Sequence, residues 1–252
     1  MGNSRTIDLN CDLAELEDQS DLAIMPFISS CNIACGGHAG SEKLMDLAVQ
    51  LANENGVTIG AHPGYPDQDN FGRISIRMSE KEIQKLIAEQ VGLLQVIARD
   101  HSNEIKYVKL HGALYHDAAS DESIAQSVLR GIQKINPRFG ILGPPDTILE
   151  RVARQSGFDY YNESFIDRKY QKDGRLVPRS KSNAVMEDLK DVEEQLKNIV
   201  LHHQVETIEG NSIQLKTDSI CIHGDHPLAI ENARLIREIL DREGVNVQSF
   251  IH

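Results

Sequence analysis

Two rhythms of apolar and polar positions run through this chain. Short, nearly continuous apolar runs occur at "TIDLNC" (6–11), "SCNIAC" (30–35), "VTIGAH" (57–62), "IKYVKLHG" (105–112), "FGILG" (139–143), "DYYNESF" (159–165) and "SICIHGD" (219–225). Their length and small or β-branched residues predict buried strands. Between them the apolar residues recur at helical spacing. Residues 41–56 place Leu44, Leu47, Ala48 and Leu51 on one face, with Ser41 as N-cap and Gly56 as stop. Residues 79–100 open with a capping box, Ser79 and Glu82, and carry Ile83, Leu86, Ile87, Leu94 and Ile97 on one side. Further helices are predicted over 121–135, 147–155, 186–202 and 228–242. The polar, basic stretch 167–183 reads as a long loop. Residues 205–216 read as a hairpin turning at 209–211, and "VNVQSF" as a last strand closing the sheet.

Strands alternating with amphipathic helices mean βα units and a parallel sheet. No G-x-G-x-x-G follows the first strand and no G-x-x-x-x-G-K-[ST] occurs, so neither dinucleotide nor P-loop signatures favour an open sheet. The expectation is a seven-stranded, irregular parallel (β/α) barrel. No linker-like stretch divides the chain, so residues 1–252 are expected to form one domain.

Composition narrows the function. A net charge of −12 disfavours nucleic acid and anionic membranes. No apolar run reaches the ~20 residues that span a bilayer, and the start lacks a secretory pattern. The four cysteines do not form a zinc-finger spacing and read as reduced thiols. A cytoplasmic location is expected.

The chemistry gathers at the strand ends, where parallel α/β folds place their sites. The first strand ends in "NCDLAE", giving Asn10, Asp12 and Glu15; the second leads to His38; the third ends at His62. The fourth carries "KLHG", giving Lys109 and His111; "NESFIDR" gives Glu163, Asp167 and Arg168; "HGD" gives His223 and Asp225. Taken singly, each is an ordinary turn residue. Together, four histidines and several carboxylates on one rim would cost stability unless they satisfied one another or held a ligand. Asp12, His38, His62, His111 and His223 are therefore expected to line one pocket.

The ordered motifs "DLNCDLAE", "IMPFISSCNIACGGHAG", "GVTIGAHPGYPD", "FGR", "VKLHGALY", "ESFIDRKYQKDGRLVPR" and "CIHGDHPLA" closely resemble the family of 5-oxoprolinase A subunits, also called LamB/YcsF. The resemblance implies a barrel related to the glycoside hydrolase/deacetylase group. It also implies ATP-dependent opening of 5-oxo-L-proline to L-glutamate, with separate B and C subunits. Family members usually read NCD-x-GE, where this chain has Ala14. They usually carry Phe before the motif histidine, where it has Gly37; and "HGDHP" has His226 where a smaller polar residue is usual. These departures bear on the shape of the substrate pocket.

The residues fit that chemistry. A lactam is a stabilised amide, and phosphorylating its oxygen would turn that oxygen into a leaving group, hence ATP with Mg2+. Asp12, backed by Glu15, would orient or deprotonate a water, with His38 and His62 holding the water or a metal ion. Lys109 and His111 would face developing negative charge, while Asn10, Arg73, Arg168, His223 and Asp225 would hold substrate or phosphate. Without a Walker motif, ATP must bind by another arrangement or partly on partner subunits. Two alternatives stay open: a stand-alone metal hydrolase with a divalent ion on Asp12, His38 and His62, and a non-catalytic substrate-binding subunit.

Overall fold

In the first strand the sequence D-L-N-C-D-L alternates strictly, and the computed structural model shows what the alternation serves. It describes residues 5–16, 20–178, 181–186, 188–222 and 229–251. Among these, the strands are β1 (Arg5–Leu13), β2 (Ser30–Ala34), β3 (Thr58–His62), β4 (Tyr107–Lys109), β5 (Gly140–Gly143), β6 (Tyr160–Phe165), β7 (Gln204–Glu206), β8 (Ser212–Gln214), β9 (Ser219–Ile222) and β10 (Val245–Val247). The helices are α1 (Ser20–Ile24), α2 (Glu42–Asn55), α3 (Glu80–Asp100), α4 (Gly112–Ser120), α5 (Glu122–Gln133), α6 (Ile148–Gln155), α7 (Leu189–His202) and α8 (Ala229–Arg242).

Strands β1 to β6 pair in sequence order, β6 pairs with β9, and β9 returns to β1, so seven parallel strands close a barrel. The expected barrel is present. The segment 245–247 does not close it: β10 lies parallel to the first residues of β1, Arg5 to Ile7, while closure runs through β1 and β9. Strand β1 alone accounts for this, because it is long enough to serve β10 at its start and β2 and β9 further on. The predicted hairpin is the antiparallel pair β7–β8. The predicted loop 167–183 is pinned by isolated bridges, Arg168 to Val185 and Tyr170 to Leu176.

Period two puts alternate side chains of β1 on opposite faces. Leu9, Cys11 and Leu13 are buried with the apolar core, whereas Asp8, Asn10 and Asp12 bond to groups on other barrel strands. The barrel interior is thus polar. Toward the amino ends of the strands, Asp8 accepts from Ser29 (2.6 Å), Ser30 (2.7 Å) and Ser219. Gly60 leaves the space into which Tyr107 projects, since a Cβ there would collide with the phenol ring. The Tyr107 hydroxyl then donates to Asn32 Oδ1 at 2.8 Å, and Phe250 packs on Tyr107 and Tyr161 at 5.0 and 4.5 Å.

Helix ends follow the sequence signals. Ser41 caps α2, Gly56 stops it at φ 66°, and Ser79 and Glu82 form the capping box of α3. One stretch differs. Residues 105–112 were expected to be strand, but β4 stops at Lys109 and α4 begins at Gly112. The break brings Gly112 against Gly72, where a Cβ would lie 2.6 Å from the Gly72 carbonyl oxygen. It also sets His111 at the N-cap of α4, directly beside the site. No helix among the described residues is long and apolar enough to cross a membrane.

Candidate active site

Asp12, His62 and Lys109 sit at or next to the carboxyl ends of β1, β3 and β4, and Glu15, His38 and His111 on the turns that follow β1, β2 and β4. Strand order makes these ends neighbours, so the six side chains meet. Glu15 Oε1 lies 3.0 Å from His38 Nε2, 3.3 Å from His111 Nδ1 and 3.9 Å from His62 Nε2. His62 Nε2 is 3.3 Å from Asp12 Oδ2 and 3.0 Å from His111 Nδ1.

The outer nitrogens fix the tautomers. His62 Nδ1 donates to the Lys109 carbonyl at 2.9 Å, and His111 Nε2 donates to the Phe71 carbonyl at 2.9 Å. A neutral imidazole has one N–H, so His62 Nε2 and His111 Nδ1 turn lone pairs inward, toward each other and toward Glu15. Facing lone pairs repel unless a cation or shared proton lies between them. Outer N–H groups tied to carbonyls are how metal-binding imidazoles are oriented. One donor atom each from Glu15, His38, His62 and His111 fall within 4.8 Å of one another. Of the expected metal trio Asp12, His38 and His62, Asp12 is outside this group and Glu15 and His111 are inside it. Among the described residues, His38 Nδ1 is buried with no hydrogen-bond partner, so His38 lacks the outer anchor that the other two have.

Asp12 is held from below. Its Oδ1 accepts from Lys109 Nζ and from Asn32 Nδ2, both at 2.8 Å. Burial works against a charge on Asp12, yet the Lys109 ammonium and the hydrogen bond it donates hold the carboxyl well below the usual carboxylate range. Burial likewise disfavours the Lys109 ammonium, but Asp12, Cys221 and Glu163 raise its pKa well above that of an ordinary lysine. Burial pushes His111 down to about 3 and His38 lower still.

The remaining expected residues are more dispersed. Asn10 lies one layer deeper, fully buried, donating to Glu163 (3.1 Å) and Ser219 (2.7 Å). Lys109 is also buried, between Asp12 and Glu163, so it braces Asp12 instead of facing outward. Arg73 stands over the Phe71 ring, 5.0 Å from its centroid, and that ring packs edgewise on His38 and His111. Arg168 donates Nη2 to the Val177 carbonyl at 2.7 Å and pins the loop after β6. His223 and Asp225 lie outside the described residues. Glu163, named above only as a strand end, and Asn32, Tyr115 and Phe71, not singled out at all, complete the network. Their signal was positional: Asn32 is the β2 register partner of Asp12.

The arrangement offers a fixed carboxylate, an imidazole cluster suited to a cation, and an arginine at its side. Comparison with known proteins places it in context. The chain is 40% identical over 245 residues to the 5-oxoprolinase A subunit of Staphylococcus carnosus, covering 96% of this chain and 97% of that protein. It superposes on the crystal structure of the lactam utilization protein from Thermus thermophilus with a TM-score of 0.91 and 34% identity, covering 97% and 99% of the two chains. A peptidoglycan deacetylase from Bacillus subtilis shares the fold alone, at TM-score 0.50 and 12% identity over 98% of this chain and 88% of that one. The model of the LamB/YcsF family matches residues 7–252, and the chain belongs to that family.

Proposed function

We propose that this chain acts as the A subunit of an ATP-dependent 5-oxoprolinase, opening the lactam of 5-oxo-L-proline to L-glutamate together with B and C subunits. The lactam, ATP and two waters become glutamate, ADP and phosphate. A relative bearing the A-subunit name at 40% identity supports the assignment. The single observation that carries it to this site is the fixed carboxylate of Asp12 beside the inward-facing lone pairs of Glu15, His62 and His111.

Asp12 is the base. Lys109 and Asn32 occupy its Oδ1, leaving Oδ2 on the side of His62, where it takes a proton from an attacking water. Its side chain keeps 14% exposure, more than His62 or Lys109, so water reaches it. Arg73, supported on Phe71, is placed to hold the substrate carboxylate or a phosphoryl oxygen. The chain has no Walker motif, so ATP with Mg2+ would bind by another arrangement or partly on the B and C subunits.

Glu15, His62 and His111 would hold a divalent ion, with the less firmly anchored His38 as a fourth donor within reach. When bound, such an ion would polarise the amide carbonyl as a Lewis acid. The imidazole cluster also favours a second reading, a metal-dependent amide hydrolase that works alone. One experiment separates the two: glutamate release from 5-oxoproline by the purified chain, with and without B, C and ATP. Activity only in the complete mixture supports the multi-subunit reading, and ATP-independent release by the lone chain supports the second.

A further inference from the structure

We propose that Glu163 is a positioning residue for the lactam-opening reaction, holding the Lys109 ammonium in place from the side opposite Asp12 so that it pins Oδ1 of Asp12. The proposal rests on the function assigned above. Glu163 stands within β6, and its side chain is wholly buried. Both oxygens are engaged: Oε1 is ion-paired with Lys109 Nζ at 2.8 Å and accepts from Asn10 Nδ2 at 3.1 Å, and Oε2 accepts from the Tyr115 hydroxyl at 3.0 Å.

Lys109 therefore has a carboxylate on either side, each at 2.8 Å. Asp12 alone would neutralise it. Burying a second carboxylate is costly unless its geometry is used, and the geometry here is specific. The ammonium also lies 3.1 Å from Cys221 Sγ and 3.3 Å from Asn10 Oδ1, with the Phe165 ring 5.8 Å away. Glu163 opposes the pull of Asp12 and centres the ammonium in this cage. Asn10 links the two halves, since it donates to Glu163 while accepting from Asn32, the other donor to Asp12 Oδ1. Without the Glu163 charge, the Lys109 ammonium is no longer centred and can swing from Asp12 Oδ1 toward Oδ2, so the carboxylate loses its fixed aim.

The test compares wild type, Glu163→Gln, Lys109→Met and the double variant, as full chains in the complex with the B and C subunits. Glu163→Gln should lower kcat about 10²-fold, the scale of a misplaced reacting group, with KM for 5-oxoproline little changed. If Glu163 acts through Lys109, the double variant should be no slower than Lys109→Met. A Glu163→Gln kcat within about three-fold of wild type, or losses that multiply in the double variant, would overturn the proposal. A second readout needs no turnover. The Lys109 ammonium should give a slowly exchanging proton–nitrogen NMR signal in the isolated chain, identified by its loss in Lys109→Met. That signal should shift or broaden away in Glu163→Gln, and an unchanged signal would overturn the proposal. An inactive wild-type complex would sink the proposed function, and the NMR arm would then decide Glu163 alone. If Glu163→Gln does not fold, Tyr115→Phe removes only the hydroxyl on Oε2. It should slow kcat several-fold and broaden the same signal, and wild-type behaviour in both would overturn the idea.

Discussion

His38 and His111 lie face to face, their ring planes 1° apart and their centroids 3.5 Å apart. Two imidazolium ions could not stack so closely in a buried site, and burial pushes both pKa values down, His111 to about 3. At neutral pH these rings are lone-pair donors. Metal-stripped chain should therefore take up one Zn2+ per molecule in a calorimetric titration. His62→Ala or His111→Ala should weaken uptake more than about 100-fold, as loss of an anchored ligand exceeds loss of an outer-sphere partner. His38→Ala should weaken it less, because His38 Nδ1 has no partner to orient the ring. Equal affinity in all four proteins would reject the cluster as a metal site.

Gly64, like Gly72, brings the backbone directly against that stack. A Cβ there would lie 2.8 Å from His38 Nδ1 and 3.2 Å from His111 Cβ, while the Gln90 amide grips the Gly64 N–H and carbonyl at 3.1 and 2.8 Å. Neither side can yield. Gly64→Ala should cost about 1–3 kcal/mol as an overpacked position and should weaken Zn2+ uptake. Chemical denaturation of metal-free protein measures the first effect separately from the second.

Asp8 sets a pH dependence far from the imidazoles. Burial raises its pKa from 3.8 to about 6, against the lowering effect of its serine partners. A raised carboxyl binds its proton more tightly in the folded chain, so its stabilising contribution is complete below about 3.8 and fades as pH rises through about 6. Asp8→Asn removes this loss. The stability difference, variant minus wild type, should grow by on the order of 3 kcal/mol between pH 4 and 7.5. Urea melts across that range give the slope, and a pH-independent difference would contradict the assignment.

Ala14 occupies a glycine's conformation, with φ 60°, at the position where the family usually has Gly. The left-handed backbone costs an alanine about 1–2 kcal/mol. Replacing it by glycine forfeits roughly 0.4–1 kcal/mol of chain entropy and ~0.8 kcal/mol from the buried methyl. Ala14→Gly should thus leave stability within about 1 kcal/mol of wild type, whereas Ala14→Val should unfold the chain at markedly lower temperature. Thermal melts of the two variants decide it.

Much of this was legible in the sequence, because the strands announce themselves as apolar runs and their ends as polar motifs. Asp12, Glu15, His38, His62, Lys109 and His111 were read from strand ends, and the structure brings them together. Two things were not legible. Membership of the metal-binding group depends on which ring nitrogen each backbone carbonyl takes, as Lys109 and Phe71 do for His62 and His111, and no spacing encodes that. The inward role of Asn10, Asn32 and Glu163 depends on register across the closed barrel, which joins residues up to 211 positions apart. The departure at Gly37 has a local cause: a Cβ there would lie 2.7 Å from the Gln90 amide and from the Gly64 carbonyl.

The most direct test of the account is ATP-coupled glutamate release by the chain reconstituted with the B and C subunits, comparing wild type with Asp12→Asn. Asn keeps the shape of Asp12 and its contact with Lys109 but cannot accept a proton from water. Circular dichroism should show an unchanged fold, and turnover should fall by at least ~10²-fold, the usual worth of a positioned base. Turnover of folded Asp12→Asn within a few-fold of wild type would contradict the assignment and leave Asp12 as a strut between Lys109 and His62.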